Sequence, residues 1–471
     1  MSKPFRVLKR LSFSCWLLST ASWSFAADLM DVYRQSLEND PTFKAAYSTY
    51  KSQSEAIPQA WAALLPQLGF NALASRNQYQ LHSASIDFTQ PYGSNQWQIS
   101  ASQAVFNYQA WSQVQQAKAS VKAALAAFNN AAQELILRSS NAYFDLLFAG
   151  DTLDFAEAKK RANKRQLEQA QQRFNVGLDA ITSVYEAQAA YDQSVAQVIS
   201  AQNNRLNKGE SLSKLTNHLY AHVAVLRDSK IPLIKPEPNN VDQWVSTGLK
   251  QNYKLFAAKF SLMAARENIK KQTAGHLPTF AIKGTSTTVH NDTGEMDSST
   301  TSSGYADSLF VPAKQVTSNI ALTMNFPVFQ GGLVLSQTRQ AQYDFQTSSE
   351  QMESAYRDVV VNSRIAFNTI IDGISKVSAD RQTIISRKNS LDSVQAQYEV
   401  GTRTMTDVVN AQQQLFEAQN QLAGDQYGLI GALLNLKYLA GSLNVNDVQE
   451  INSWLATTRL DGVAPEPTQR S

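Results

Sequence analysis

The side chains best equipped for chemistry gather in two short stretches. RFNVGLDAITSVYEAQ runs from Arg173 to Gln188, and QYEVGTRTMTDVVNAQ from Gln397 to Gln412. Ser183 and Glu186 stand on the first; Tyr398, Arg403, Asp407 and Asn410 stand on the second. Carboxylates, an arginine and hydroxyls in so small a space are the equipment of an acid–base site. The two stretches align at an offset of 224 positions, so whatever the pattern does, the chain does it twice.

An enzyme needs more than this. The sequence has no HExxH, P-loop or GxSxG, and His82, His218, His222, His276 and His290 are scattered without metal-ligand spacing. His218 and His222, at i and i+4, read as surface residues near a linker. The only cysteine, Cys15, falls in a segment expected to be removed, so no catalytic residue, metal site or cofactor is expected. The same polarity has a structural reading. Gly177 and Gly401 follow helical patterns and suit a helix C′ turn. Ser183 with Glu186, and Thr404 with Asp407, have the S/T-x-x-acid spacing of a capping box. Acids in a first helical turn are favoured by the macrodipole whether or not they do anything else.

Several elements must position these turns. Residues 1–26 read as a secretory signal: Lys3, Arg6, Lys9 and Arg10 precede a largely apolar run, and Ser24-Phe25-Ala26 offers a cleavage site after Ala26. Its removal takes the formal net charge from +3 to −1, which removes the main support for a nucleic-acid partner. No later run of apolar residues is long enough for a transmembrane helix. The remainder divides into two repeats, 27–225 and 241–455, joined by a Pro-punctuated linker at 226–240 and followed by a tail at 456–471. Within each repeat the period changes. Trp97, Ile99, Ala101 and Val105 alternate with Gln96, Gln98, Ser100 and Ser102, and Val316, Ile320, Leu322, Met324 and Phe326 face away from Thr317, Asn319, Thr323 and Asn325. Strands are expected at about 67–76, 96–105, 279–289 and 315–328. A strand with one apolar and one polar face suits a boundary between lipid and water, or a hairpin packed on a soluble core.

After each strand pair a helical pattern runs without proline from about Gln109 to Asn175 and from about Leu333 to Glu399, long enough for about 100 Å of helix. Gly150 and Gly373 are positions where these helices are expected to bend. Half-length helices are expected at Leu29 to Ala63, Thr182 to Leu215, Val241 to Ala274 and Thr406 to Leu439, stacking end to end along the long ones in Ala-rich coiled-coil seams. Tip turns then fall at 175–182 and 399–406. Four strands cannot close a barrel, and an open edge is not tolerated in lipid, so the membrane reading implies an oligomer. A non-channel coiled-coil structural or adhesive protein would account for the helices alone, and the alternating strands argue against it.

ADLMDVYRQSLENDP, LLPQL, RFNVGLDAIT, AGHLPT, PVFQGG, QAQYDF and VGTRT occur in this order along nearly the whole mature chain. In these segments the sequence resembles the TolC-type outer membrane factors, the exit ducts of Gram-negative efflux pumps and type I secretion systems. The resemblance implies a mainly α protein with a membrane β-barrel: a long antiparallel helical tunnel below four strands per protomer, closing as a twelve-stranded barrel in a homotrimer. It also implies a passive duct without enzymatic activity in the outer membrane, opened by a periplasmic adaptor and an inner-membrane transporter of RND, ABC or MFS type. Pro66, Pro278 and Pro327 would mark the junctions of barrel and helices, with the segments about Asn77 to Ser94 and His290 to Lys314 facing outward. Carried over by position, Tyr398 and Arg403 are the expected latch of the periplasmic gate, Thr182 their acceptor, and Asp407 the constriction acid. Two positions depart from the family: Ser183 stands where its first tip has an aspartate, and Asn410 where a second constriction acid is expected. The latch is therefore expected to be weakened, unless Glu186 restores an acid near the lumen.

Overall fold

The computed structural model describes residues 27–83, 86–220, 222–226, 232–292 and 314–456. The expected signal segment with Cys15, most of the His290 to Lys314 loop and the C-terminal tail lie outside these residues. The first half contains α1 (Leu29–Asn39), α2 (Pro41–Ser54), α3 (Ala56–Ala62), β1 (Gln67–Ser83), β2 (Ile86–Phe106), α4 (Tyr108–Asn175) and α5 (Ile181–Thr216). The second contains β3 (Val225–Leu226), α6 (Val241–Gln251), α7 (Tyr253–Thr273), β4 (Thr279–Asp292), β5 (Lys314–Asn325), α8 (Leu333–Glu399), α9 (Met405–Leu439), α10 (Val445–Asn452) and β6 (Leu455–Ala456).

Two expectations are corrected at this level. The half-length helices at Leu29 to Ala63 and Val241 to Ala274 are broken. Asp40 ends α1 and caps α2 through the Thr42 and Phe43 amides, with Pro41 at the first helical position, where its missing N–H costs nothing. Asn252 separates α6 from α7 and accepts from the Leu255 amide. The outward segment at 77–94 is largely strand. Its ladder continues to the Ser83 and Ile86 pair, through a stretch in which Tyr79, Ile86 and Phe88 are residue types that favour strand.

α4 and α8 contain 68 and 67 residues, each about 100 Å long, and neither stops at its internal glycine. Such helices stand only because neighbours cover them throughout. Along the first half of α4, Trp111 meets Trp61 of α3 at 6.0 Å between ring centroids, Phe128 stacks on Tyr50 of α2 at 5.8 Å, and Lys122 lies over Phe260 of α7. Along its second half α5 takes over: the Asn163 amide donates to the Ala190 carbonyl at 2.9 Å, and Lys208 pairs with Asp145 at 2.7 Å. α8 is covered in the same way by α6 and α7, then by α9.

The four long strands form one antiparallel sheet in the order β1-β2-β4-β5. Its register puts Phe70 opposite Ile99, Ala72 opposite Trp97, Ile282 opposite Leu322 and Phe280 opposite Met324. These residues share one face, much of it exposed: Phe70 is 70% accessible, Ile320 86% and Leu322 68%. Gln98, Thr285, Asn319 and Thr323 occupy the other. β1 and β5 each have only one neighbour, so both outer edges carry unpaired backbone groups. No helix among the described residues is long and apolar enough to cross a membrane.

Two hydrophobic clusters organise the helical part. The larger gathers α1, α4, α8, α9 and α10 around Leu29, Tyr143, Ile370 and Ile430. Here the Tyr143 hydroxyl donates to the Ala224 carbonyl at 2.6 Å and Asn452 donates to Asp28 at 2.9 Å, tying the two ends of the described chain together. The smaller lies at the far end, where Leu167, Ala170, Ala187, Leu391, Tyr398, Met405, Val408 and Ala411 pack against one another.

Candidate functional site

The far end is built from two turns of the same design. The Gly177 amide donates to the Phe174 carbonyl and the Leu178 amide to the Arg173 carbonyl; the Gly401 amide donates to Tyr398 and the Thr402 amide to Gln397. Both pairs are Schellman closures. Gly177 and Gly401 have φ of +76° and +79°, where a side chain would be strained. Three residues beyond each glycine lies the next helix cap, Ala180 for α5 and Thr404 for α9.

The side chains on these turns differ. At the second tip the Thr404 hydroxyl accepts from the Asp407 amide at 3.3 Å, while Asp407 accepts from the Thr404 amide at 3.1 Å. This is the expected capping box, and these bonds to Thr404, with Arg403 at 3.9 Å, hold the Asp407 carboxyl below the usual carboxylate range. The first tip has no such box. Ala180 has no capping side chain, so Ser183 and Glu186 lie inside the helix and do not cap it. The correction has a simple cause: the Schellman turn fixes the cap three residues after Gly177, before Ser183 is reached.

Across the two tips, the Tyr398 hydroxyl donates to Asp179. Arg173 donates through Nε to the same carboxylate oxygen at 3.3 Å and lies over the Tyr398 ring at 5.0 Å. The Arg173 and Asp179 side chains are only 21% and 17% accessible. Burial, followed by the Asp179 bond and charge, pushes the Tyr398 phenol far up and keeps it a donor. A second link runs from the Thr406 hydroxyl to Glu186 at 2.6 Å. Deeper in the seam between α4 and α9, the Gln166 amide donates to Gln412.

The structure thus brings Tyr398 and Glu186 into the contact between tips, but within one chain it gives Tyr398 a different acceptor from the one expected. Thr182 is exposed and makes no side-chain hydrogen bond among the described residues. Arg403 bonds Gln397 of its own hairpin at 3.1 Å. Ser183 donates weakly to Asp179 at 3.5 Å, and Asn410 is exposed one turn beyond Asp407. Asp179 and Arg173 were missed. Their signal was present: at the offset of 224, Asp179 aligns with Arg403 and Arg173 with Gln397, so the residue pair bridging each turn carries opposite polarity. Pro66 and Pro278 immediately precede β1 and β4, and Pro327 follows β5. Among the described residues no group of three His, Cys, Asp or Glu is placed to hold a metal.

The family model described as outer membrane efflux protein matches residues 32–218 and 244–442. The chain is 35% identical to the outer membrane protein TolC of Escherichia coli, over 100% of this chain and 93% of that protein. It is 25% identical to the alkaline protease secretion protein AprF of Pseudomonas aeruginosa, over 93% of this chain and 89% of that one. The solved structure of CusC superimposes with a TM-score of 0.75 at 16% identity, covering 88% of this chain and 93% of its own, and shares the fold.

Proposed function

We infer, for a chain that belongs to the outer membrane efflux protein family, an outer-membrane exit duct of a Gram-negative cell for efflux and type I secretion. The family is one of transport proteins, and such a duct makes and breaks no covalent bonds. The observation that carries the reading is the joining of a one-face-apolar, four-stranded sheet with open edges to two helices about 100 Å long, each with a half-length return helix, whose far ends are cross-linked. Three copies close the sheet into a twelve-stranded barrel, and the hairpins form a tunnel below it.

In this proposal the closed state has two kinds of bond. Within each chain, Asp179, Arg173 and Tyr398 hold the two hairpins together, assisted by Glu186 and Thr406. Between chains, the exposed Arg403 meets Thr182 and Ser183 of the neighbouring tip. Val176, Leu178, Tyr185 and Val400 are 67–74% exposed beside these bonds. An adaptor docking there gains apolar burial as it pulls the hairpins apart, and an inner-membrane transporter of RND, ABC or MFS type supplies the energy.

Three copies of Asp407, one turn from Asn410, ring the entrance. Their cap bonds favour the ionised form, so mutual repulsion is relieved by bound cations and not by protonation. Single-channel recording in planar bilayers tests the proposal. Wild-type protein should conduct with cation preference and divalent block, and Asp407→Ala should lose both. Unchanged selectivity would remove Asp407 from the constriction; absence of any conductance would refute the duct.

A further inference from the structure

α4, α5 and the residues Leu219, Tyr220, His222, Val223 and Val225 line a partly open cavity of about 430 Å3 beside the larger core, remote from the tip and the sheet. Gly150 and Gly209, both inside long helices, line it. Glycine is the poorest helix former after proline, and neither position has a positive φ that requires it. Close packing does not require it either: a methyl group on either glycine meets no atom within 4 Å, although Gly150 is buried. Gly373 differs, since a methyl there would meet Leu429 at 3.2 Å. At Gly150 and Gly209, the absent side chains leave space.

The walls combine apolar surface with donors. Leu147 and Val223 contribute the former. Among the acids, Asp151 accepts from the Tyr427 hydroxyl at 2.7 Å and Glu157 faces Arg161 at 3.5 Å; Glu210 stands exposed at the rim. Arg205, partly buried, makes no salt bridge or hydrogen bond among the described residues. The Tyr220 hydroxyl is shielded from solvent without a partner of good hydrogen-bond geometry, with Thr216 beside it, and burial holds the phenol neutral. Ligand cavities in proteins are commonly about 300–1,000 Å3, mainly apolar with a few placed polar groups.

We propose that this cavity binds a small amphiphile with one apolar tail and a carboxylate head, the tail filling the space left by Gly150 and Gly209 and the head meeting Arg205. The site is separate from the duct's gate, and its presence or absence leaves the channel reading intact.

Equilibrium dialysis of radiolabelled decanoate against amphipol-exchanged full-length protein tests it, with 1-decanol as the neutral probe. Wild-type protein should show saturable decanoate uptake at one site per chain that Gly150→Leu and Gly209→Val each abolish, while single-channel conductance is unchanged. Arg205→Gln should weaken decanoate about tenfold, the scale of one charge-assisted hydrogen bond, and leave decanol unaffected. Equal uptake by wild type and both filled variants overturns the site. Equal weakening of both probes by Arg205→Gln overturns the carboxylate head. A filled variant that melts higher, with no difference in uptake, makes the cavity a packing void only.

Discussion

The two tips have one backbone and opposite side chains. Both close on a left-handed glycine and both place the cap of the return helix three residues later. Two residues past the glycine stands Asp179 on the first tip and Arg403 on the second; at the third helical position stand Ser183 and Asp407. The second tip spends its acid on itself, in the Thr404 box. The first leaves Asp179 to take Tyr398 from the other tip and Arg173 from its own. The turn is repeated, and the differences between Phe174 and Tyr398, Asp179 and Arg403, Ala180 and Thr404, and Ser183 and Asp407 leave one copy a capped strut and the other a catch.

The largest expected effect follows from that division. Asp179→Ala strips Tyr398 and Arg173 of a charge-assisted bond of about 1.5–3 kcal/mol, so the resting leak in bilayers should rise about tenfold or more. Arg403→Ala, which keeps the catch, should raise the leak less than Asp179→Ala does; if it raises it more, closure resides in the second tip. Next comes the cap. Thr404→Ala should cost about 1 kcal/mol and speed amide exchange in the first turn of α9, whereas Ser183→Ala should leave the first turn of α5 nearly unchanged. Acid should act similarly. Because the folded Asp407 carboxyl is depressed, its stabilisation is present above the ordinary carboxylate pKa and lost only as pH falls through the depressed value. Exchange protection in the first turn of α9 should therefore begin to fall below about pH 4 and finish falling only under the depressed value.

The smallest effect concerns the hairpins behind the tips. α4 and α5 face each other with the Lys208 and Asp145 pair, whereas α8 and α9 bring Asp380 to Asp425. Burial, then Asp425, raises the Asp380 carboxyl, so its ionisation costs stability as pH rises through that raised value. Asp380→Asn should stabilise the protein near neutral pH by no more than about 0.5 kcal/mol, given its partial exposure to solvent, and not at all in acid. Thermal melts at both pH values measure the difference.

What was legible in the sequence was local. Gly177, Gly401 and the Thr404 and Asp407 spacing need no partner beyond the next turn, and the alternation around Ile99 and Ile320 identifies its own face. The catch was not local, because Tyr398 and Asp179 lie 219 positions apart. The apparent Ser183 and Glu186 box misled for a related reason: its spacing was right, but the glycine turn had already fixed where α5 begins. The break at Asn252 was hidden by an otherwise continuous helical pattern, since nothing in the periodicity reveals a side chain that caps the following helix.

The unpaired edges at β1 and β5 bear on inheritance. If each duct draws three chains at random, a cell making equal amounts of sound chains and chains unable to pair at an edge retains about one duct in eight free of the defect. A lesion on β5 is therefore expected to be dominant, and one that merely fills the space beside Gly150 recessive.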